Sequence, residues 1–348
     1  MDNAPTPRRD GAVDLAKALA ICAVVLIHCS ANHFAHHPAG SFQWLAACFW
    51  GSVSRWAVPV FLLCSGALMN APERDLPLKK LFSRYLLRLA LALAVWAGFY
   101  ELLRIYISRG SAPLGQLAVQ SAKNWLTGNT YYHLYYFYFA IALYLALPLT
   151  RLIAKRASRA EARYLLILWF LAGCVLPFCR YFPPFDQMGA SVLRYVLPAI
   201  FLAPGLGLLG WYLGQHPPKS SLEGLGLFLA GFGVTFLGTW QRSAAAGELD
   251  QFFLDGFGPF VLLMAVGVLR LCQRLGRDGV PGPALYLSRA SFCVYLVHPY
   301  FQWLTRQAFF ESLPPVWAVP VQAVLLLSLS AAAYELLRRV PVVNRWLI

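Results

Sequence analysis

Apolar residues in this chain run in long unbroken blocks, divided by short polar segments. Ten blocks stand out, at about 13–29, 46–69, 86–107, 133–150, 164–180, 193–213, 222–240, 252–270, 285–304 and 317–337. Each approaches the ~20 residues that a helix rising 1.5 Å per residue needs to cross a hydrocarbon core. A transmembrane barrel would alternate in pieces of ~10 residues, and no such alternation is present. The pattern predicts an all-α fold, a polytopic membrane helix bundle of about ten transmembrane helices, forming a single domain over residues 1–348. The second block contains Pro59, a kink that neighbouring helices can accommodate. The longest outer connection, about 108–132, is polar and aromatic, and no connection is long enough for a soluble domain.

The first block is the most informative. Charged residues, Asp10, Asp14 and Lys17, precede an apolar run that ends at His28. At about 100° per residue, Asp14, Lys17, Ile21 and His28 fall within one ~60° sector of a helix. Asp14 and His28 are ~21 Å apart along it, too far for one to orient the other. Arg8 and Arg9 resemble the start of a signal peptide, but no small-x-small cleavage site follows, so the segment is expected to be retained as the first span.

Composition and charge refine this. Only 13% of residues are charged, against ~25% in soluble domains, and 59% are hydrophobic. A net charge of +14 would point to nucleic acid in a soluble protein. Of the 29 lysines and arginines, however, all but Arg55, Arg104, Arg109, Lys123, Arg180, Arg194, Arg242 and Arg306 fall on one side of the ten-span topology. That side is cytoplasmic, both termini lie on it, and the charge marks topology. The expected surroundings are a lipid bilayer and no nucleic acid. The eight cysteines sit mostly inside apolar blocks with no CxxC pair, so they are expected to pack as small hydrophobes, with no metal site.

Four groups carry candidate chemistry. His28 within a span faces the bundle interior or a cavity; it is either a general base near neutral pH or a histidine hydrogen-bonded to a neighbouring helix. Ser65-Gly66 permits close backbone approach, and Ser65 as a nucleophile lacks a GxSxG context. Arg84 and Arg88, four residues apart, either anchor topology or bind phosphates of a cytoplasmic donor. The segment Ser288-Arg289-Ala290-Ser291-Phe292-Cys293-Val294-Tyr295-Leu296-Val297-His298-Pro299 is unusually polar for a span, with Tyr295 and His298 on one side; it either makes structural hydrogen bonds or lines a substrate path. His133 is expected at the interface.

These segments together resemble a known family. Asp14-Leu15-Ala16-Lys17-Ala18-Leu19-Ala20 followed by His28 resembles the first-span signature of the bacterial acyltransferase family 3. Phe61-Leu62-Leu63-Cys64-Ser65-Gly66 is similar to its second-span segment, Arg84 and Arg88 match its basic motif, and Ser291 to Pro299 resembles its late motif. Lys17 departs from the family's usual arginine, and lysine cannot make a bidentate contact.

The resemblance implies a multi-pass O-acetyltransferase of the bacterial inner membrane. It would take acetyl from acetyl-CoA, a donor substrate with no permanently bound cofactor beside it, and place it on a sugar hydroxyl of a cell-surface polysaccharide or lipid-linked glycan. The compact form resembles the branch that acetylates enterobacterial common antigen. On this reading His28 is the base or briefly carries the acyl group, and Asp14 organises the cytoplasmic mouth with Lys17 or Arg84. Lys17, Arg84 and Arg88 hold the donor, and Ser65, Tyr295 and His298 line the acceptor path. The alternative is a transporter or glycan export partner, which would tend to show two similar halves; none is visible.

Overall fold

The structure, a computed structural model, describes residues 10–107, 114–127, 129–179, 182, 198–305, 310 and 313–348. Arg8, Arg9, Arg109, Arg180, Arg194 and Arg306, and residues 193–197 of the expected sixth span, lie outside them. The described residues form helices: α1 (Gly11–Ala31), α2 (Phe42–Ser54), α3 (Ala57–Met69), α4 (Leu78–Ile107), α5 (Leu114–Thr127), α6 (Tyr135–Arg156), α7 (Arg159–Cys179), α8 (Pro198–Gln215), α9 (Ser221–Ala246), α10 (Pro259–Leu275), α11 (Gly282–Thr305), α12 (Pro315–Leu337) and α13 (Pro341–Trp346).

Eight helical segments among the described residues are long and apolar enough to cross a membrane: 11–31, 42–69, 78–107, 132–156, 159–179, 221–246, 252–275 and 315–337. Of the ten expected spans, the other two correspond to α8 and α11, and α11 is interrupted by Ser288, Arg289, Ser291, His298 and Gln302. The long outer connection contains α5, a helix that the polar composition there did not predict.

Contacts divide the chain into two compact units. The first contains residues 1–65 and 212–334. Its central element is α1, which packs against α2, α10 and α11. Asp10 caps α1, its Oδ1 accepting from the N–H groups of Ala12 (3.0 Å) and Val13 (3.2 Å), a preferred start for a helix. Ala16, Ala20, Ile21, Val24 and Val25 are buried on several faces, as expected of a helix enclosed by others. Helices α9 and α10 lie backbone to backbone. A Cβ added at Gly224 would stand 2.8 Å from the Gly267 carbonyl, and one at Gly267 would stand 2.6 Å from that of Gly224, a small-residue seam typical of membrane helix pairs.

The second span breaks where Pro59 requires it. A proline lacks the N–H that would bond residue i−4 and its ring crowds that carbonyl; here residue i−4 is Arg55. The helix accordingly stops at Ser54 and restarts at Ala57. Arg55 is left at the break, its Nε donating to the Leu254 carbonyl at 2.5 Å. That carbonyl belongs to a short turn set by Asp250, which accepts from the Phe252 N–H at 2.8 Å and pairs with Arg242 at 2.7 Å. Partial burial alone would raise the Asp250 carboxyl, but these partners hold it below the usual carboxylate range.

The second unit contains residues 66–211 and 335–348. Here α4 packs on α5 and α6, and α13 docks on α4. Gly66 of α3 touches α8 directly: an added Cβ would lie 2.1 Å from the Gly207 carbonyl oxygen. Arg151 of α6 is buried and donates to the carbonyls of Met69, Ala71 and Arg74. A cation therefore closes the carbonyl end of α3, where the helix dipole favours positive charge. In the first unit Arg270 does the same for the end of α8, reaching the carbonyls of Leu213 and His216. Tyr164, Ile167, Leu168 and Leu171 of α7 are exposed, an apolar face suited to lipid. All eight cysteines are free thiols, six of them buried.

Candidate functional site

Two helices build the site, α1 and α11. Ser288 Oγ donates to Asp14 Oδ1 at 2.6 Å, and Gln302 Nε2 donates to the His28 carbonyl at 2.6 Å. Both bonds join residues 274 apart in sequence, so α1 and α11 run parallel in constant register. Among the described residues, seven apolar helical segments lie between them along the chain (42–69, 78–107, 132–156, 159–179, 198–215, 221–246 and 252–275), an odd number, as a parallel pair requires. Asp14 and His28 are separated by the same sequence interval as Ser288 and Gln302. That interval returns a helix to nearly the same face after about four turns.

The polar positions of α11 form a stripe. Ser288, Ser291, Tyr295, His298 and Gln302 recur at three- and four-residue steps, and all are buried. Polar groups inside a bundle need partners. Ser291 Oγ donates to the Ser288 carbonyl at 2.8 Å. His298 has Nδ1 2.9 Å from the Val294 carbonyl. For that contact to be a hydrogen bond Nδ1 must carry the proton, which makes Nε2 the basic nitrogen of the neutral ring.

His28 meets this stripe face to face. Its ring stacks on that of His298 with centroids 5.2 Å apart and planes inclined by 27°. The Tyr295 ring lies 6.3 Å from His298. His298 is fully buried, whereas His28 is half-buried. Arg55, at the break between α2 and α3, lies within electrostatic reach of His28.

The structure thus brings together His28, Tyr295 and His298 near one end of α1. It sets Asp14 at the other, hydrogen-bonded to Ser288. Lys17, one turn beyond Asp14, is half-buried. Ser65 is also half-buried, beside the close-packed Gly66.

Arg84 and Arg88 belong to the second unit and differ in surroundings. Residues Leu81–Leu86 form a π-helical turn, and Arg84 within it is exposed. Arg88 is half-buried and donates to the Ile348 backbone oxygen, while Trp96 Nε1 donates to the Leu347 carbonyl at 3.1 Å. Arg88 therefore helps to hold α13 and the residues after it against α4. His133 is buried within the protein, its ring edge-on to Tyr100 at 4.8 Å.

Sequence reasoning missed two participants, Gln302 and Arg55, and gave Ser288 only as part of a polar segment. Gln302 could have been found by extending the spacing of Tyr295 and His298 along α11. Arg55 reads in the sequence only as a topological charge. The available signal was an arginine in an apolar block four residues before a proline.

No group of three or more His, Cys, Asp or Glu residues among the described residues is arranged to hold a metal ion. What the arrangement can do is proton chemistry at one imidazole backed by a second.

Comparison with known proteins adds one finding. Residues 10–335 match the model of a family described as an acyltransferase domain, which covers the four resembling motifs. No curated protein and no solved structure matches the chain.

Proposed function

The chain belongs to this acyltransferase family, type 3, a multi-pass membrane acyltransferase by its helices, and from that premise we propose that it moves an acetyl group from acetyl-CoA to a hydroxyl of a cell-surface glycan or lipid-linked sugar. Amino-sugar units such as those of enterobacterial common antigen fall within the acceptor class proposed. The host membrane is the bacterial inner membrane. The transporter alternative has no counterpart in the family match.

The observation that carries the reading is the stacked pair of His28 and His298. In the proposed step His28 takes the proton of the acceptor hydroxyl as its oxygen attacks the thioester carbonyl. The C–S bond then breaks, CoA leaves as thiolate, and the proton passes from His28 to that sulfur. The stacked neutral His298 fixes the orientation of the His28 ring, and Gln302 fixes the backbone beneath it. Arg55 supplies positive charge toward the oxyanion that develops in the attack. For the donor's phosphates the candidates are Lys17 and Arg84, with Arg88 partly engaged by Ile348.

Labelled acetyl-CoA supplied to vesicles holding the full-length protein, followed by mass analysis of the glycans, tests the reading. Label is expected on a sugar hydroxyl with wild-type protein and not with a His28→Ala variant that inserts normally. Full labelling by that variant removes His28 from the mechanism. Absence of label with wild type removes the proposed donor or acceptor.

A further inference from the structure

The second unit contains a cavity that no step above uses. It lies at the end of α4 opposite the π-helical turn, and the distribution of basic residues places that end on the outer side of the membrane. Its volume is about 170 Å³, with Tyr100, Glu101, Arg104, Asn124, Thr130 and Tyr131 in its lining. An apolar cavity of about 150 Å³ takes up benzene in another protein, so one six-membered ring fits here.

One side of the lining is aromatic. The rings of Tyr100 and Tyr131 stack at 4.5 Å with planes inclined by 16°, and Tyr131 meets Tyr132 at 4.8 Å. Tyr100 is buried, Tyr131 is half-buried and Tyr132 is exposed, so the aromatic surface continues from the interior to the mouth.

The other side is a chain of polar groups. Gln120 Nε2 donates to Asn124 Oδ1 at 2.9 Å, Asn124 Nδ2 donates to Glu101 Oε2 at 3.4 Å, and Arg104 Nη2 pairs with Glu101 Oε1 at 2.5 Å. Glu101 is 9% exposed and Asn124 is 7% exposed. A carboxylate buried in a spanning helix is costly and by default marks a functional position. With about four acceptor sites on its two oxygens, Glu101 can accept from a ligand while keeping both partners.

We infer that this cavity is a binding site for one pyranose ring of a neutral saccharide presented from the outer side. A pyranose has an apolar C–H face and a rim of hydroxyls. The tyrosine wall suits the face. Glu101, Asn124 and Thr130 suit the rim, because each hydroxyl both donates and accepts. The carboxylate disfavours phosphate or another anion. The assignment of this saccharide as the acceptor rests on the function proposed above; its binding does not.

Full-length protein in lipid nanodiscs, titrated with N,N′-diacetylchitobiose and with maltose while tryptophan fluorescence is recorded, tests the inference. Trp96 lies 6.2 Å from Tyr100 and reports on the cavity. At least one sugar is expected to give a saturable change in the millimolar range. Tyr131→Ala should weaken it about tenfold or more, and Tyr131→Phe, which keeps the stacking face, should restore it. Glu101→Gln should also weaken it, with the melting temperature checking that α5 stays docked. No saturable change with either sugar, or equal affinity in wild type and Tyr131→Ala, overturns the site and leaves the tyrosines and Glu101 as a clamp between α4 and α5. Sugar binding without acetyl transfer would remove the proposed reaction and keep the site. Acetyl transfer without sugar binding would do the reverse.

Discussion

The imidazole rings of His28 and His298 stack across α1 and α11 with centroids 5.2 Å apart, the half-buried ring backed by the fully buried one. In the mechanism proposed above the two rings act as a unit. His28→Ala is expected to lower turnover by about 10²–10⁴, the usual contribution of a positioned base. His298→Ala should lower it by less, because His28 itself survives. The double variant should be scarcely worse than His28→Ala alone. Turnover of labelled acetyl-CoA by the three purified proteins measures this, and additive losses would mean that the rings serve separate steps.

Gly66 and Gly207 face each other but are not equivalent. A Cβ at Gly66 would strike the backbone of Gly207 at 2.1 Å, whereas a Cβ at Gly207 would meet Leu143 at an ordinary 3.4 Å. Gly66→Ala is therefore expected to destabilise the protein severely, because backbone cannot move aside as a flexible side chain can. Gly207→Ala should be close to neutral. Melting temperatures of the two variants in detergent check the asymmetry; similar values would show that α3 and α8 are less tightly apposed.

Arg84 and Arg88 should separate when each is replaced. Arg84 is exposed in the π-helical turn, so Arg84→Ala should weaken acetyl-CoA binding with little change in melting temperature. Arg88→Ala should lower the melting temperature, because it releases the Ile348 oxygen and loosens the chain end from α4. Donor titration and thermal melting on the same preparations read both effects. Unchanged donor affinity in Arg84→Ala would leave that residue as a topological anchor.

Arg151 is expected to tolerate no substitution. It serves the carbonyls of Met69, Ala71 and Arg74 together, and hydrogen bonds to a charged donor contribute about 1.5–3 kcal/mol each. Arg151→Ala should cost roughly 2 kcal/mol or more, and Arg151→Lys should recover little, since a single ammonium cannot span three carbonyls. Thermal melting again decides; a lysine variant as stable as wild type would mean that charge at the end of α3 matters and fork geometry does not.

The sequence by itself determined the all-helical class and the positions of most spans. A backbone in hydrocarbon must satisfy its hydrogen bonds within each segment, so apolar length alone reports the helix. It also marked His28, Tyr295 and His298, because ionisable and polar groups stand out against apolar blocks. What only the tertiary structure decided was which of them meet. The register of α1 on α11 joins residues 274 apart, and no local periodicity carries that pairing. The engagement of Arg88 with Ile348 and the cavity beside Glu101 are likewise long-range matters. Each depends on which helix lies beside which, and that follows from small-residue contacts and buried polar partners spread across the chain.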